Sequence, residues 1–274
     1  MNMHDTVSWH APGHQHDEHS FSTGLDSHPT RPLPSFLAGG RRLLVAITSR
    51  FLFSDEESFW QQVRATASAD IDAFILREKD LSPEEYERAA RRFVKVCDEC
   101  GTTPVIHSRP EVALRLGKPF VQMPLPLLKE LSRDDDVRQG SPCSHRNGAS
   151  PAETVLRSES LSDEKKRRTL LFGTSVHSAQ DARDTRELPV SWVIASNVFP
   201  TDCKKGLPGR GLDFIASMKA IRPDLPVIGL GGIGLDNTAS VVQSGADGVA
   251  LMSGFMLSDD PASLANALRR AMDS

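Results

Sequence analysis

From Arg41 onward the chain alternates short apolar runs with longer, mostly polar segments. L-L-V-A-I-T-S (43–49), A-F-I-L-R-E-K (73–79), T-P-V-I-H-S (103–108) and F-V-Q-M-P (120–124) read as strands. Each is too short for an ordinary helix, and most are rich in aliphatic residues. Between them the pattern predicts helices over Asp55–Thr66, with Ser54 as N-cap, over Pro83–Glu99 and, briefly, over Glu111–Leu116. Ser82 followed by Glu85 spells a capping box, and Pro83 takes the first helical position. The rhythm lapses after Pro124. Leu125–Leu131 reads as a helical turn, and Ser132–Arg168 is charged, Ser-rich and poor in large apolar residues. We expect residues 132–168 to form a mobile surface insertion, helical in part around 152–158. The rhythm then resumes. Strands are expected at Leu170–Val176, Trp192–Phe199, Pro226–Gly232 and Gly248–Gly254, and helices at Ser178–Glu187, Leu212–Ile221, Asp236–Ser244 and Pro261–Met272.

Eight strands, each followed by a helix or a short stand-in, predict an α/β chain folded as a (β/α)8 TIM barrel over 41–274. The competing arrangement, a doubly wound open sheet, usually carries its phosphate loop after the first strand. Here the Gly-rich loops come last. Residues 1–40 differ in composition: six of the nine histidines (His4, His10, His14, His16, His19, His28) and Pro29, Pro32 and Pro34 fall there. That reads as a disordered tail. His14, His16 and His19 are either a weak metal site or merely polar residues that chelate loosely, since no ligand geometry is implied.

Composition narrows the function. A net charge of −4 over 274 residues offers no general attraction to nucleic acid. No run approaches the ~18 apolar residues of a membrane span, and the N-terminus lacks an apolar signal segment. Four cysteines in a chain this long do not make a disulfide framework. The expected setting is cytoplasmic.

The chemistry gathers where strands end. G-L-G-G-I-G (229–234) and L-M-S-G (251–254) close the last two strands, where barrels commonly bind phosphate with loop and helix amides. Gly231, Gly232, Ser253 and Gly254 are the candidates; otherwise these glycines simply make tight turns. Arg77 and Lys79 share a face at the end of the second strand, with Glu78 opposite. Two cations in a barrel mouth bind a substrate carboxylate or phosphate, or else an internal partner such as Asp202. His177 follows the fifth strand as a candidate general acid/base or a helix cap, and His107 is a weaker candidate. Cys97 and Cys100 form C-x-x-C late in a helix, away from the N-terminus that would activate a thiol. Cys203 has no assigned role.

I-L-R-E-K (75–79), G-T-S-V-H-S (173–178), V-F-P-T-D-C-K-K-G-L-P-G-R-G (198–211), P-V-I-G-L-G-G-I (226–233) and G-A-D-G-V-A-L-M-S-G (245–254) resemble the thiamin phosphate synthase/TenI superfamily, most of all its TenI branch, the thiazole tautomerases. The resemblance covers most of 43–257. It departs from the synthases in three places. Ile75 stands where they carry glutamine, His107-Ser108 where they carry Asn-Asp, and Q-M-P-L-P-L where they carry an acidic residue. Both carboxylates that would hold Mg²⁺ are therefore missing. The resemblance implies a metal-free, cofactor-free isomerisation of a phosphorylated thiazole carboxylate to its aromatic tautomer in thiamin biosynthesis. His177 would be the acid/base, and Arg77, Lys79 and Lys204 would stabilise the anionic substrate. It also implies a possible homodimer. Two alternatives stay open: a thiamin phosphate synthase, and a non-catalytic protein that binds thiazole or thiamin phosphate.

Overall fold

The structure is a computed structural model that describes residues 40–140, 170–201, 206 and 208–274, with 134–140 by backbone alone. Eight parallel strands close a barrel in chain order. They are β1 (Leu43–Ile47), β2 (Ala73–Leu76), β3 (Thr103–His107), β4 (Phe120–Pro124), β5 (Leu171–Val176), β6 (Val190–Ser196), β7 (Val227–Leu230) and β8 (Gly248–Leu251). Helices α1 (Glu56–Ala67), α2 (Pro83–Cys100), α3 (Pro110–Arg115), α4 (Leu125–Gly140), α5 (Ala179–Asp184), α6 (Leu212–Ile221), α7 (Leu235–Gln243), α8 (Ser253–Met256) and α9 (Pro261–Met272) follow the strands in turn.

Period-two alternation divides the strand side chains between two cores. Leu43, Val45, Ile47, Ala73, Ile75, Val105, Trp192, Ile194, Ile228 and Ala250 fill the barrel. Their neighbours Leu44, Ala46, Phe74, Leu76, Ile106, Val193 and Val249 pack outward against the helices. Strands buried on both faces are apolar at most positions, which is why they read as near-continuous runs. The barrel closes where β1 pairs with β8, Leu43 opposite Gly248. At the same end Arg269 of α9 reaches Asp72 at 2.7 Å, and Asp72 also accepts the Leu44 N–H at 2.7 Å.

Element boundaries differ from the sequence expectations in instructive ways. Asp55, not Ser54, caps α1: its carboxylate accepts the Ser58 N–H at 2.8 Å. The Ser82–Glu85 capping box on α2 is present as read. Helix α4 runs to Gly140, well past the expected turn and into the stretch taken for insertion. Ladder pairing on β2 stops at Leu76, because Arg77–Lys79 turn out of the sheet. Pairing on β8 stops before Ser253, which opens α8 instead of ending a strand. The expected tail, residues 141–168 of the insertion and the 152–158 segment lie outside the described residues. Among those described, no helix is long and apolar enough to cross a membrane.

Candidate functional site

The floor of the mouth is one row of registered positions across four strands. His107 pairs with Gln122, Gln122 with Gly173, and Gly173 with Trp192. The Trp192 ring lies over Gly173 so closely that a Cβ there would fall 1.9 Å from Cε2. Glycine is what lets the indole cross β5. The indole N–H then donates to Gln122 Oε1 at 2.8 Å, and Gln122 Nε2 donates to Ser175 Oγ at 3.2 Å.

His177 stands above this floor, one residue past β5 and level with Ser196 on β6. Its Nδ1 lies 3.1 Å from the Ser196 carbonyl oxygen. A carbonyl only accepts, so Nδ1 carries the proton and Nε2 is the basic nitrogen of the neutral ring. The His177 backbone N–H donates to Asp181 Oδ2 at 2.7 Å, and the Asp181 N–H donates to Ser178 Oγ at 3.0 Å. Both turns fix the point where the imidazole leaves the chain.

Across the row stand the cations. Arg77 follows the interior Ile75 by two residues and is half-buried, and Lys79 is exposed. Their backbone is held from behind. The Arg77 N–H donates to Thr48 Oγ1 at 2.9 Å, and Thr48 Oγ1 donates to Glu78 Oε1 at 2.6 Å. The Arg50 N–H also reaches both Glu78 oxygens, at 3.2 and 3.1 Å. Glu78 is thus buried on the face opposite Arg77, as alternation predicts. Burial pushes its carboxyl upward against those hydrogen bonds. Among the described residues the Arg77 guanidinium has no ion pair, and Asp202, the suggested partner, lies outside them.

His107 is only 8% exposed. Burial, then the charges of Arg77, Lys79 and Arg109, push its pKa down to about 3. The ring is neutral near neutral pH, but so low a pKa makes it a weak base, which favours His177 over it as general base. Its Nδ1 lies 2.9 Å from Ser108 Oγ, on a residue held at φ 59°. The buried Tyr86 hydroxyl clips the two strand ends together: it donates to Leu76 O at 2.8 Å and accepts the His107 N–H at 3.1 Å.

The Gly-rich loops end β7 and β8, which are neighbours, Leu230 level with Ala250. Gly232 has φ 63°, and a Cβ on it would meet Pro200 O at 2.5 Å. Gly231 accepts the Phe199 N–H at 2.9 Å, so the β6 and β7 loops continue the ladder beyond the strands. Ser253 and Gly254 are exposed in the first turn of α8. The first turns of α7 and α8 leave amide N–H groups without intrahelical acceptors, which suits a phosphate.

Other candidates fare differently. Lys204, Cys203 and His14, His16 and His19 lie outside the described residues. Cys97 is buried and its thiol is pushed upward by burial, so it is inert. A cavity of about 520 Å³ lies outside the barrel between the starts of α1 and α2, away from His177. Magnesium does not fit the described mouth. The residues at the two carboxylate positions of the resemblance are neutral, and Arg77 and Arg109 bring positive charge. Gln122, Ser175, Trp192 and the Ser196 carbonyl were not singled out by sequence. The signal available was Gln122, a polar residue inside an apolar strand.

Comparison with known proteins agrees with this architecture. The chain is 27% identical over 229 residues to the thiamine-phosphate synthase of Desulfitobacterium hafniense (strain Y51), covering 82% of this chain and 94% of that one. It is 27% identical over 251 residues to that of Roseiflexus sp. (strain RS-1), covering 91% and 92%. The solved thiamine phosphate pyrophosphorylase from Pyrococcus furiosus shares the fold, with a TM-score of 0.60 at 22% identity over 84% of this chain and 95% of that one. The family model described as thiamine monophosphate synthase matches residues 44–124 and 158–255, and the chain therefore belongs to the TMP-TENI family.

Proposed function

We propose that the protein acts in thiamin biosynthesis as a TenI-type thiazole tautomerase, an isomerase that aromatises a phosphorylated thiazole carboxylate. The observation that carries this reading is the pairing of His177 Nδ1 with the Ser196 carbonyl, across the mouth from Arg77. The phosphate sits against Gly231, Gly232, Ser253 and Gly254, and the carboxylate faces Arg77 and Lys79, with Lys204 as a further cation. His177 Nε2 takes the proton from the ring carbon bearing the carboxylate. The electron pair moves into the ring, and its charge is opposed by the nearby cations. The imidazolium keeps its Nδ1–H bond to Ser196 throughout. It then returns the proton to the exocyclic carbon, so protons balance and aromatisation drives the step. No redox group or metal enters this scheme.

The test is turnover of the non-aromatic thiazole carboxylate phosphate in EDTA, followed by NMR, beside His177→Ala. Wild-type conversion above the spontaneous rate, falling by about 10²–10⁴-fold in the variant, is expected. Conversion at the spontaneous rate in the wild type overturns the reading. The names of the relatives favour a second one, condensation of a pyrimidine diphosphate with thiazole phosphate. Product formed only when the diphosphate and Mg²⁺ are added would establish it.

A further inference from the structure

We infer that the imidazole of His107 donates a hydrogen bond from Nε2 to the carboxylate of the bound substrate. The inference rests on the tautomerase reading and extends it to a residue outside the proposed acid/base chemistry.

Three observations carry it. First, His107 faces the barrel interior, two residues beyond Val105 of the inner core and level with Gln122 in the floor. Second, its Nε2 has no hydrogen-bond partner among the described residues, and it is not one of the sealed, partnerless atoms there. Those are Thr66 Oγ1 and Asn197 Oδ1. His107 as a whole keeps 8% of its surface exposed. Third, Nδ1 is served by a hydroxyl, Ser108 Oγ at 2.9 Å. A hydroxyl donates or accepts equally well, so the ring can carry its proton on either nitrogen. A carboxylate at 108 would instead hold the proton on Nδ1 and leave Nε2 an acceptor.

Charge selects between these states. Arg77, Lys79 and Arg109 act on this ring from the ends of β2 and β3, and Tyr86 of α2 packs behind it. An N–H directed among cations is unfavourable until an anion arrives between them. Binding then fixes the Nε2–H tautomer, with Ser108 donating to Nδ1. The same cations oppose an imidazolium, so the ring supplies a directional donor without adding another positive charge. A carboxylate suits the position better than a phosphate because the phosphate has its amides at the ends of β7 and β8. A planar two-oxygen acceptor can also bridge the Arg77 guanidinium and the ring N–H.

The experiment compares binding of two probes by calorimetry: the aromatic thiazole carboxylate phosphate, and the same thiazole phosphate without its carboxylate. Wild-type protein should prefer the first. His107→Leu should cut that preference on the order of 10- to 100-fold. His107→Gln, which keeps an N–H donor, should recover part of it. Affinity for the carboxylate-free probe should stay unchanged in both variants, which also shows that they fold. Ring ¹⁵N shifts of His107 should report a protonated Nε2 when the carboxylated probe binds. Wild-type preference that survives intact in His107→Leu overturns the assignment alone. A wild type that binds neither probe, or both equally, overturns the carboxylate site and the tautomerase reading together.

Discussion

Adding one methyl group at Gly173 probes whether the Trp192–Gln122 bridge holds up the floor of the mouth. In Gly173→Ala the new Cβ would lie 1.9 Å from Trp192 Cε2, 2.0 Å from Nε1 and 2.5 Å from Gln122 Oε1. Carbon contacts settle near ~3.5–4.0 Å, so the indole must move by well over an ångström. It is 2% exposed and has nowhere to go. Overpacking of this kind costs about 1–3 kcal/mol. Breaking the indole N–H bond to Gln122 strands a buried polar group, for another ~1–3 kcal/mol. The expected loss is therefore about 2–6 kcal/mol. A double-mutant cycle isolates the cause. Trp192→Leu alone should cost about 3–5 kcal/mol through its cavity. In that background Gly173→Ala should cost less than about 1 kcal/mol, because the clashing ring is gone. Urea unfolding followed by far-UV circular dichroism reads all four proteins. An alanine that costs the same in both backgrounds, or nothing in the first, refutes the bridge.

Three further outcomes are expected. The folded His107 pKa of about 3 lies below the ~6.5 of an unfolded histidine, so between those values the unfolded chain binds more protons. The contribution is complete above pH ~6.5 and is lost as pH falls toward about 3, by at most on the order of 5 kcal/mol. His107→Gln should flatten the drop in urea midpoint between pH 7 and pH 4. Gly232→Ala combines a φ of 63° with a 2.5 Å approach to Pro200 O. It should cost about 1–3 kcal/mol and raise KM for the phosphorylated substrate more than it lowers kcat. Tyr86→Phe leaves the Leu76 carbonyl and the His107 N–H without their phenol partner. A loss of about 1–3 kcal/mol should appear, with faster hydrogen exchange at His107.

The barrel was legible because strands buried on both faces leave an unmistakable trace: Leu43–Ile47 and Ala73–Leu76 carry no polar residue. Ser82, Pro83 and Glu85 announced the start of α2 in the same direct way. Less local features escaped. Whether Ser54 or Asp55 caps α1 depends on the turn geometry, and two adjacent acceptors look alike on paper. Helix α4 continues through a charged stretch in which no apolar periodicity marks a face. In the site, His177 and Arg77 stood out as polar groups at strand ends. The Ser196 carbonyl that sets the His177 tautomer has no side-chain signature, since only the β5–β6 register brings it there. Likewise, nothing in T-P-V-I-H-S reveals that His107 is surrounded by cations drawn from separate loops.

The seam between β1 and β8 also has a bearing on how the molecule is made. Leu43 finds its partner Gly248 only after nearly the whole domain has been synthesised. Until then the first strand keeps one unpaired edge, and contacts this distant in the chain form slowly. On the ribosome the nascent barrel is thus an open, adhesive sheet, the form most prone to pair with a neighbouring chain. Arg269, in the helix that follows β8 and α8, fastens α9 to the Asp72 that already holds Leu44. A chain stopped short of that helix would lack the clasp and should depend on chaperones far more than the finished protein does.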